Sequence, residues 1–204
     1  MTITSKHPYV LSLLDKDPNL HTLFETVKET TIPFDNDGFH FLIFTITGQQ
    51  LSANVAYIIF NRIKALIHTL TPTSFLKLSD QQLRDVGLSF RKIETMKAVA
   101  QYCIKNNFNF NTFLDKKKMA SLINIKGIGH WTLDMYEMFV HKNLDHFSYL
   151  DLGLVEAIKH LYPKPLQTID DIKKVTKRWS PYQSIVAHFL WEYWDMHHKG
   201  KRND

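Results

Sequence analysis

Cysteine is almost missing from this 204-residue chain, which holds one, Cys103. A single thiol builds neither an internal disulfide framework nor a cysteine metal cluster, and an iron–sulfur cluster is excluded on the same ground. Its place in an apolar, periodic stretch predicts a small buried hydrophobe in a reducing compartment. Glycine and proline are sparse as well, seven of each. With 44% hydrophobic and 13% aromatic residues, the chain is neither collagen-like nor disordered and must bury a core. The first ten residues lack a basic segment followed by an apolar run, so no secretory signal is read and a cytoplasmic protein is expected. No period of 20 to 50 residues recurs and no low-complexity linker divides the chain. One window, Gly38 to Asn61, carries no formal charge and is long enough to span a bilayer. Thr45, Thr47, Gly48, Gln49, Gln50, Ser52 and Asn54 fill its centre with polar groups that hydrocarbon would leave unsatisfied. Two buried helices of a soluble protein are predicted there, with no membrane partner.

The charge present is unevenly placed. From Arg84 to Lys118 the chain carries eight basic and three acidic residues, which accounts for the whole net charge of +5. A basic segment of this kind is either a solvated helix face or an electrostatic footprint for a phosphate backbone, where Lys and Arg release counterions on binding.

Periodicity is helical nearly throughout. Phe39, Leu42, Ile43 and Ile46 form one apolar stripe, and Val55, Ile59, Ile63 and Leu66 another. Ser52 is placed to cap the second. Ser79 with Gln82 has capping-box spacing, Gly87 closes that short helix, and Ser89 caps the next, whose stripe is Ile93, Met96, Ala100, Cys103 and Ile104. Further helices are predicted over 117–124, 131–141, 152–161, 170–178 and 182–197. No strand-like alternation of useful length is found, so the fold is expected to be all-α, with nine or ten helices.

The segment from Leu122 to Thr132 holds Gly127 and Gly129 around one apolar residue, between two helical patterns. Such a turn permits positive φ and close approach of backbone to another molecule, and the helix that follows presents unpaired N–H groups suited to a phosphate. Asp151 stands 20 residues beyond Trp131, at the start of the next predicted helix. Its commonest role at such a position is an N-cap. Asp145 reads as a loop residue of structural purpose. The histidines show no metal-ligand grouping; His197 and His198 are adjacent, and His130 falls at the turn.

In order along the chain stand Gln49-Gln50-Leu51-Ser52, Val86-Gly87-Leu88-Ser89-Phe90-Arg91-Lys92, the Gly127/Gly129 hairpin with Trp131-Thr132, Asp151, and Trp179-Ser180-Pro181-Tyr182-Gln183-Ser184 with Trp191. This set, from about Asp17 to Trp194, resembles the DNA-3-methyladenine glycosylase II branch of the helix-hairpin-helix DNA glycosylase superfamily. Lys126, Leu133, Ser148 and Gln183 stand where that family often has Pro, Ala, Pro and Arg. The resemblance implies a two-lobed helical fold with the active-site cleft between lobes, residues 38–120 forming one and 1–37 with 121–204 the other. It also implies that the N-terminal β domain of longer relatives is missing.

The function so implied is a monofunctional glycosylase of base-excision repair that removes alkylated purines, such as 3-methyladenine, from duplex DNA. Asp151 becomes the catalytic carboxylate. Breaking an N-glycosidic bond develops oxocarbenium character, and a carboxylate about 4 Å away at an effective dielectric near 20 is worth roughly 4 kcal/mol, or about a thousandfold in rate. A target base must be flipped out and its gap filled, for which Phe90 is the leading apolar wedge and Leu88 the second. Gly127, Gly129, His130, Lys126, Arg91 and Lys92 would meet DNA. Trp131, Met135, Tyr149, Tyr182 and Gln49 would line the base pocket, Trp131 through stacking on an electron-poor base. Bifunctional relatives carry a lysine at the position of Trp131, so no lyase step is expected. The backbone carbonyls of Ile123, Ile125 and Ile128 would hold a monovalent cation; no other cofactor is implied. A monomer acting on damaged double-stranded DNA is expected. Two alternatives stay open: a non-catalytic damage-binding or architectural protein, and a glycosylase for other lesions.

Overall fold

The computed structural model describes residues 1–107, 116–162 and 165–198. Twelve α-helices are found among them: α1 Pro8–Lys16, α2 His21–Thr26, α3 Gly38–Gly48, α4 Ala53–Ala65, α5 Pro72–Leu76, α6 Asp80–Asp85, α7 Phe90–Lys105, α8 Lys116–Ser121, α9 His130–Phe139, α10 Leu152–Leu161, α11 Ile169–Thr176 and α12 Gln183–His198. Short 3₁₀ turns occupy Pro18–Leu20, Leu122–Asn124 and Lys177–Trp179. The excess over nine or ten comes from α1, α2 and α5, which are not among the helices expected from the sequence. An antiparallel ribbon pairs β1 Thr2–Thr4 with β2 Glu29–Thr31, Ile3 lying opposite Thr30. Strands of three residues leave no alternation to read, which is why the sequence shows none. Among the described residues no helix is long and apolar enough to cross a membrane.

The chain forms two compact units, Asp35–Tyr136, and Met1–Phe34 with Glu137–Asp204. These limits differ from the lobe boundaries expected at 37/38 and 120/121. The hairpin falls with the central helices because Gln49, just past α3, and Thr95 on α7 bind its backbone.

In the 35–136 unit, α3 enters from Asp37, whose carboxylate accepts from the N–H groups of Phe39 (2.9 Å) and His40 (3.0 Å). Its stripe of Phe39, Leu42, Ile43 and Ile46 is buried as expected. In α4 the buried arc is rotated toward Ala56 and Phe60, leaving Val55 and Leu66 exposed; the Phe60 ring meets Phe44 edge-on at 5.2 Å. In α7, Val99 takes the core place assigned to Ile104, which is exposed. The caps are local and match expectation: Ser52 accepts from Val55, Ser79 and Gln82 form a reciprocal box, and Ser89 accepts from Lys92. Cys103 is buried, and burial pushes its thiol pKa up to about 12.

In the other unit, α12 packs against α10, α2 and β2. Phe24 meets Phe189 edge-on at 4.8 Å, within a core that includes Leu13, Leu23, Leu154, Ile158, Trp179 and Ile185.

Candidate active site

The hairpin is built on short backbone bonds. Ile125 N–H donates to Leu122 at 2.9 Å and Ile128 N–H to Ile125 at 3.0 Å. Gly127 has φ +97°, and a Cβ there would lie 2.3 Å from Thr95 Oγ1. Both the conformation and the contact require glycine. The Thr95 hydroxyl on α7 reaches the Lys126 carbonyl at 3.0 Å, and Gln49 Nε2, just after α3, donates to the Gly127 carbonyl at 3.2 Å. Gln49 thus satisfies a hairpin carbonyl through its amide nitrogen and holds the turn to the end of α3. Gly129 differs from Gly127, since a Cβ there would meet nothing within 4 Å. Nothing inside the described structure demands a glycine at that point. Lys126, Gly129 and His130 are exposed beside the first N–H groups of α9. Of the carbonyls named for a cation, that of Ile125 accepts from Ile128 N–H. Among the described residues no three His, Cys, Asp or Glu side chains group as metal ligands.

The loop before α7 separates the two wedge candidates. Gly87 (φ +108°) turns the chain, Leu88 N–H donates to Leu83 at 3.2 Å, and Leu88 is left 1% exposed. Leu88 is therefore a core residue and is withdrawn as a wedge. Phe90, the first residue of α7, is 62% exposed, with the Arg84 guanidinium 4.5 Å from its ring centre.

The basic segment narrows in the same way. Arg84 donates to the Leu88 carbonyl at 2.6 Å, Lys97 pairs with Asp80, and Lys92 Nζ donates to the Thr47 carbonyl at 2.7 Å. Lys92 is half-buried, and burial pushes its pKa down. Its charge caps the C-terminal end of α3, which corrects its assignment to DNA. Arg91, Lys105 and Lys117 remain exposed; the side chains of Lys116 and Lys118 lie outside the described residues.

In the second unit Asp151 is the N-cap of α10. Its Oδ1 accepts from Leu154 N–H at 3.0 Å and from Trp191 Nε1 at 3.1 Å. Gly153 leaves room for this arrangement, since a Cβ there would sit 3.2 Å from Asp151 Oδ1 and 3.8 Å from Trp191 Cδ1. The loop leading to Asp151 is tied to α12 as well. Asp145 accepts from Ser180 Oγ (2.7 Å) and Gln183 Nε2 (2.8 Å), and Ser184 Oγ lies 2.7 Å from the His146 carbonyl. One helix therefore fixes both the loop and the carboxylate. Trp191 is recognisable in the sequence as part of a pattern, but no local signal shows that its indole reaches a residue 40 positions earlier. Leu150 and Leu152, flanking Asp151, are both exposed.

The remaining base-pocket candidates divide. Trp131 is half-buried near the start of α9, whereas Met135 is buried in the core and is corrected to a packing residue. Tyr182 stacks on Tyr9 at 4.4 Å, and the Tyr149 hydroxyl lies 2.8 Å from Thr176 Oγ1. Both tyrosines are half-buried and make these contacts within the Asp151 unit.

Several known proteins resemble this chain over most of its length. The Bacillus subtilis protein YfjP is 29% identical over 191 residues, which cover 85% of this chain and 64% of that protein. A DNA-3-methyladenine glycosidase from Bacillus halodurans superposes with a TM-score of 0.80 at 27% identity, over 98% of this chain and 94% of its own. The 3-methyladenine DNA glycosylase Mag1 of Schizosaccharomyces pombe, solved in complex with abasic DNA, gives 0.78 at 26% identity, over 89% and 94%. The model of the HhH-GPD superfamily of base excision DNA repair proteins matches residues 43–181. That stretch contains the glycine hairpin and Asp151, and the chain belongs to this superfamily.

Proposed function

We propose that the protein is a monofunctional DNA glycosylase that flips alkylated purines, such as 3-methyladenine, out of duplex DNA and hydrolyses their N-glycosidic bond. The observation that carries the reading is Asp151, held at the start of α10 by two donors on a single oxygen. A carboxylate so oriented stabilises positive charge developing at C1′ and directs water to that carbon. Trp131, where a Schiff-base lysine would stand, offers a ring for stacking and no amine, so the strand is left intact. Phe90 supplies the apolar wedge. Arg91, Lys126 and His130, with the N–H groups at the start of α9, receive phosphates. The relatives named above for 3-methyladenine support this substrate class. The chain acts as a monomer, and a monovalent cation at the carbonyls of Ile123, Ile125 and Ile128 would steady the hairpin beside a phosphate.

Incubation with methylated duplex DNA, followed by chromatography of released bases, tests the proposal. Wild type should release 3-methyladenine and leave alkali-labile abasic sites without nicking the strand. Asp151→Asn should still bind abasic-site DNA but release base about a thousandfold more slowly. Equal release by the variant would defeat the assignment, and binding without release by wild type would favour a damage-binding protein.

A further inference from the structure

His188, on α12 three residues before Trp191, is 5% exposed, and its Nε2 is the one buried side-chain nitrogen or oxygen among the described residues without a hydrogen-bond partner. An orphan polar atom in a core is a cost that an aliphatic residue would avoid. What the imidazole supplies is a flat ring. It meets Trp191 at 5.1 Å and 73° and Phe139 at 5.1 Å and 85°, while Phe139 and Trp191 stack nearly parallel at 5.9 Å and 23°. The indole is therefore held by one ring along its face and by another set across it. The direction of its N–H decides whether the bond to Asp151 exists, because hydrogen bonds weaken steeply as they bend.

The geometry points to His188 as a positioning residue: by its edge contact it fixes the tilt of Trp191, and so holds the indole N–H on Asp151 Oδ1. Burial, with the N-terminal ammonium adding to it, pushes the His188 pKa down to about 3, so the ring is neutral and no charge enters beside the indole. His188 neither touches the substrate nor moves a proton. The inference rests on Asp151 as the group beneath the sugar.

Two readouts test it. In an NMR spectrum of the folded protein, the Trp191 indole N–H, assigned by its loss in Trp191→Phe, should be shifted and protected from exchange in wild type. In His188→Leu that protection should fall. In single-turnover assays on methylated DNA, His188→Leu should lower the rate of base release about two- to tenfold, the rate equivalent of an aromatic edge contact, with half-saturating DNA unchanged. His188→Phe, which keeps the ring and removes the orphan nitrogen, should recover most of that loss. In a Trp191→Phe background, His188→Leu should cost nothing further, since the group it positions is gone. His188→Met replaces leucine if the leucine variant melts well below wild type. Unchanged indole protection and rate in His188→Leu, or the same loss in both backgrounds, overturns the inference. If Asp151→Asn releases base normally, the reading of Asp151 itself fails. If Asp151→Asn is inactive and His188→Leu is not, only the role of His188 fails.

Discussion

The carboxylate of Asp17 invites a quantitative perturbation. It is fully buried at the end of α1. Its Oδ1 accepts from Asn19 N–H (3.3 Å) and Asn19 Nδ2 (2.9 Å), its Oδ2 accepts from the Tyr162 hydroxyl and Trp179 Nε1 (3.1 Å), and the Arg178 guanidinium forms an ion pair with Oδ2 at 3.2 Å. Asp17→Asn keeps the shape but supplies one acceptor oxygen and an unwanted donor. With the amide oxygen turned toward Tyr162 and Trp179, those bonds fall from charge-assisted to neutral, about 1 kcal/mol each, and the new amide donor opposes Asn19. The half-exposed Arg178 returns to water and adds little. The total is roughly 2–4 kcal/mol, which for a chain of this size lowers the melting temperature by roughly 5–15 °C.

The deficit depends on pH in a definite direction. Burial by itself would raise the Asp17 pKa, but hydrogen bonds from Tyr162, Asn19 and Trp179, with the Arg178 charge, outweigh it and hold the group below its usual value. Its stabilisation is complete above the unfolded-state pKa of about 3.9 and is lost as pH falls through the lower native value. Melting followed by circular dichroism from pH 7 down to pH 3 should show wild type and variant converging at the acid end. A drop of under 1 °C at pH 7, or a gap that stays constant to pH 3, would refute the reasoning.

Arg91→Ala should lower the slope of log affinity for DNA against log salt by about 0.9, whereas Lys92→Ala should leave the slope alone and lower the melting temperature through its lost bond to Thr47. Equal slope changes in the two variants would return Lys92 to the DNA surface. Gly127→Ala must place a Cβ at φ +97° and against Thr95, so a loss of roughly 2–4 kcal/mol by denaturant unfolding is expected; a loss under 1 kcal/mol would show that the hairpin relaxes freely. Cys103, its thiol pKa pushed up to about 12 by burial, should resist a maleimide at pH 8 in the native protein and react fully in denaturant. Rapid native labelling would place the thiol near solvent.

Much of this architecture is legible in the amino-acid order because its causes are local. Ser52, Ser79, Ser89 and Asp151 accept from N–H groups three residues ahead, and the α3 stripe follows from 3.6 residues per turn. The positive φ of Gly127 and the placing of Asp151 at a helix start belong to the same class. On α4 periodicity holds for Ile59 and Ile63, which are buried, and fails for Val55 and Leu66, which face outward while Phe60 meets the neighbouring aromatic rings.

Partnership over distance was decided by tertiary structure alone. Lys92 reads as one more cation until α3 brings the Thr47 carbonyl to it from 45 positions away. Leu88 and Phe90 are equally apolar as letters, yet the Gly87 turn buries one and exposes the other. Trp191 meets Asp151 across 40 residues, and Trp179 meets Asp17 across 162. A cap or a stripe is set by neighbours within one or two turns of chain. A partner distant in sequence is set by which helix surfaces bury each other, and that choice depends on the packing of a whole unit at once.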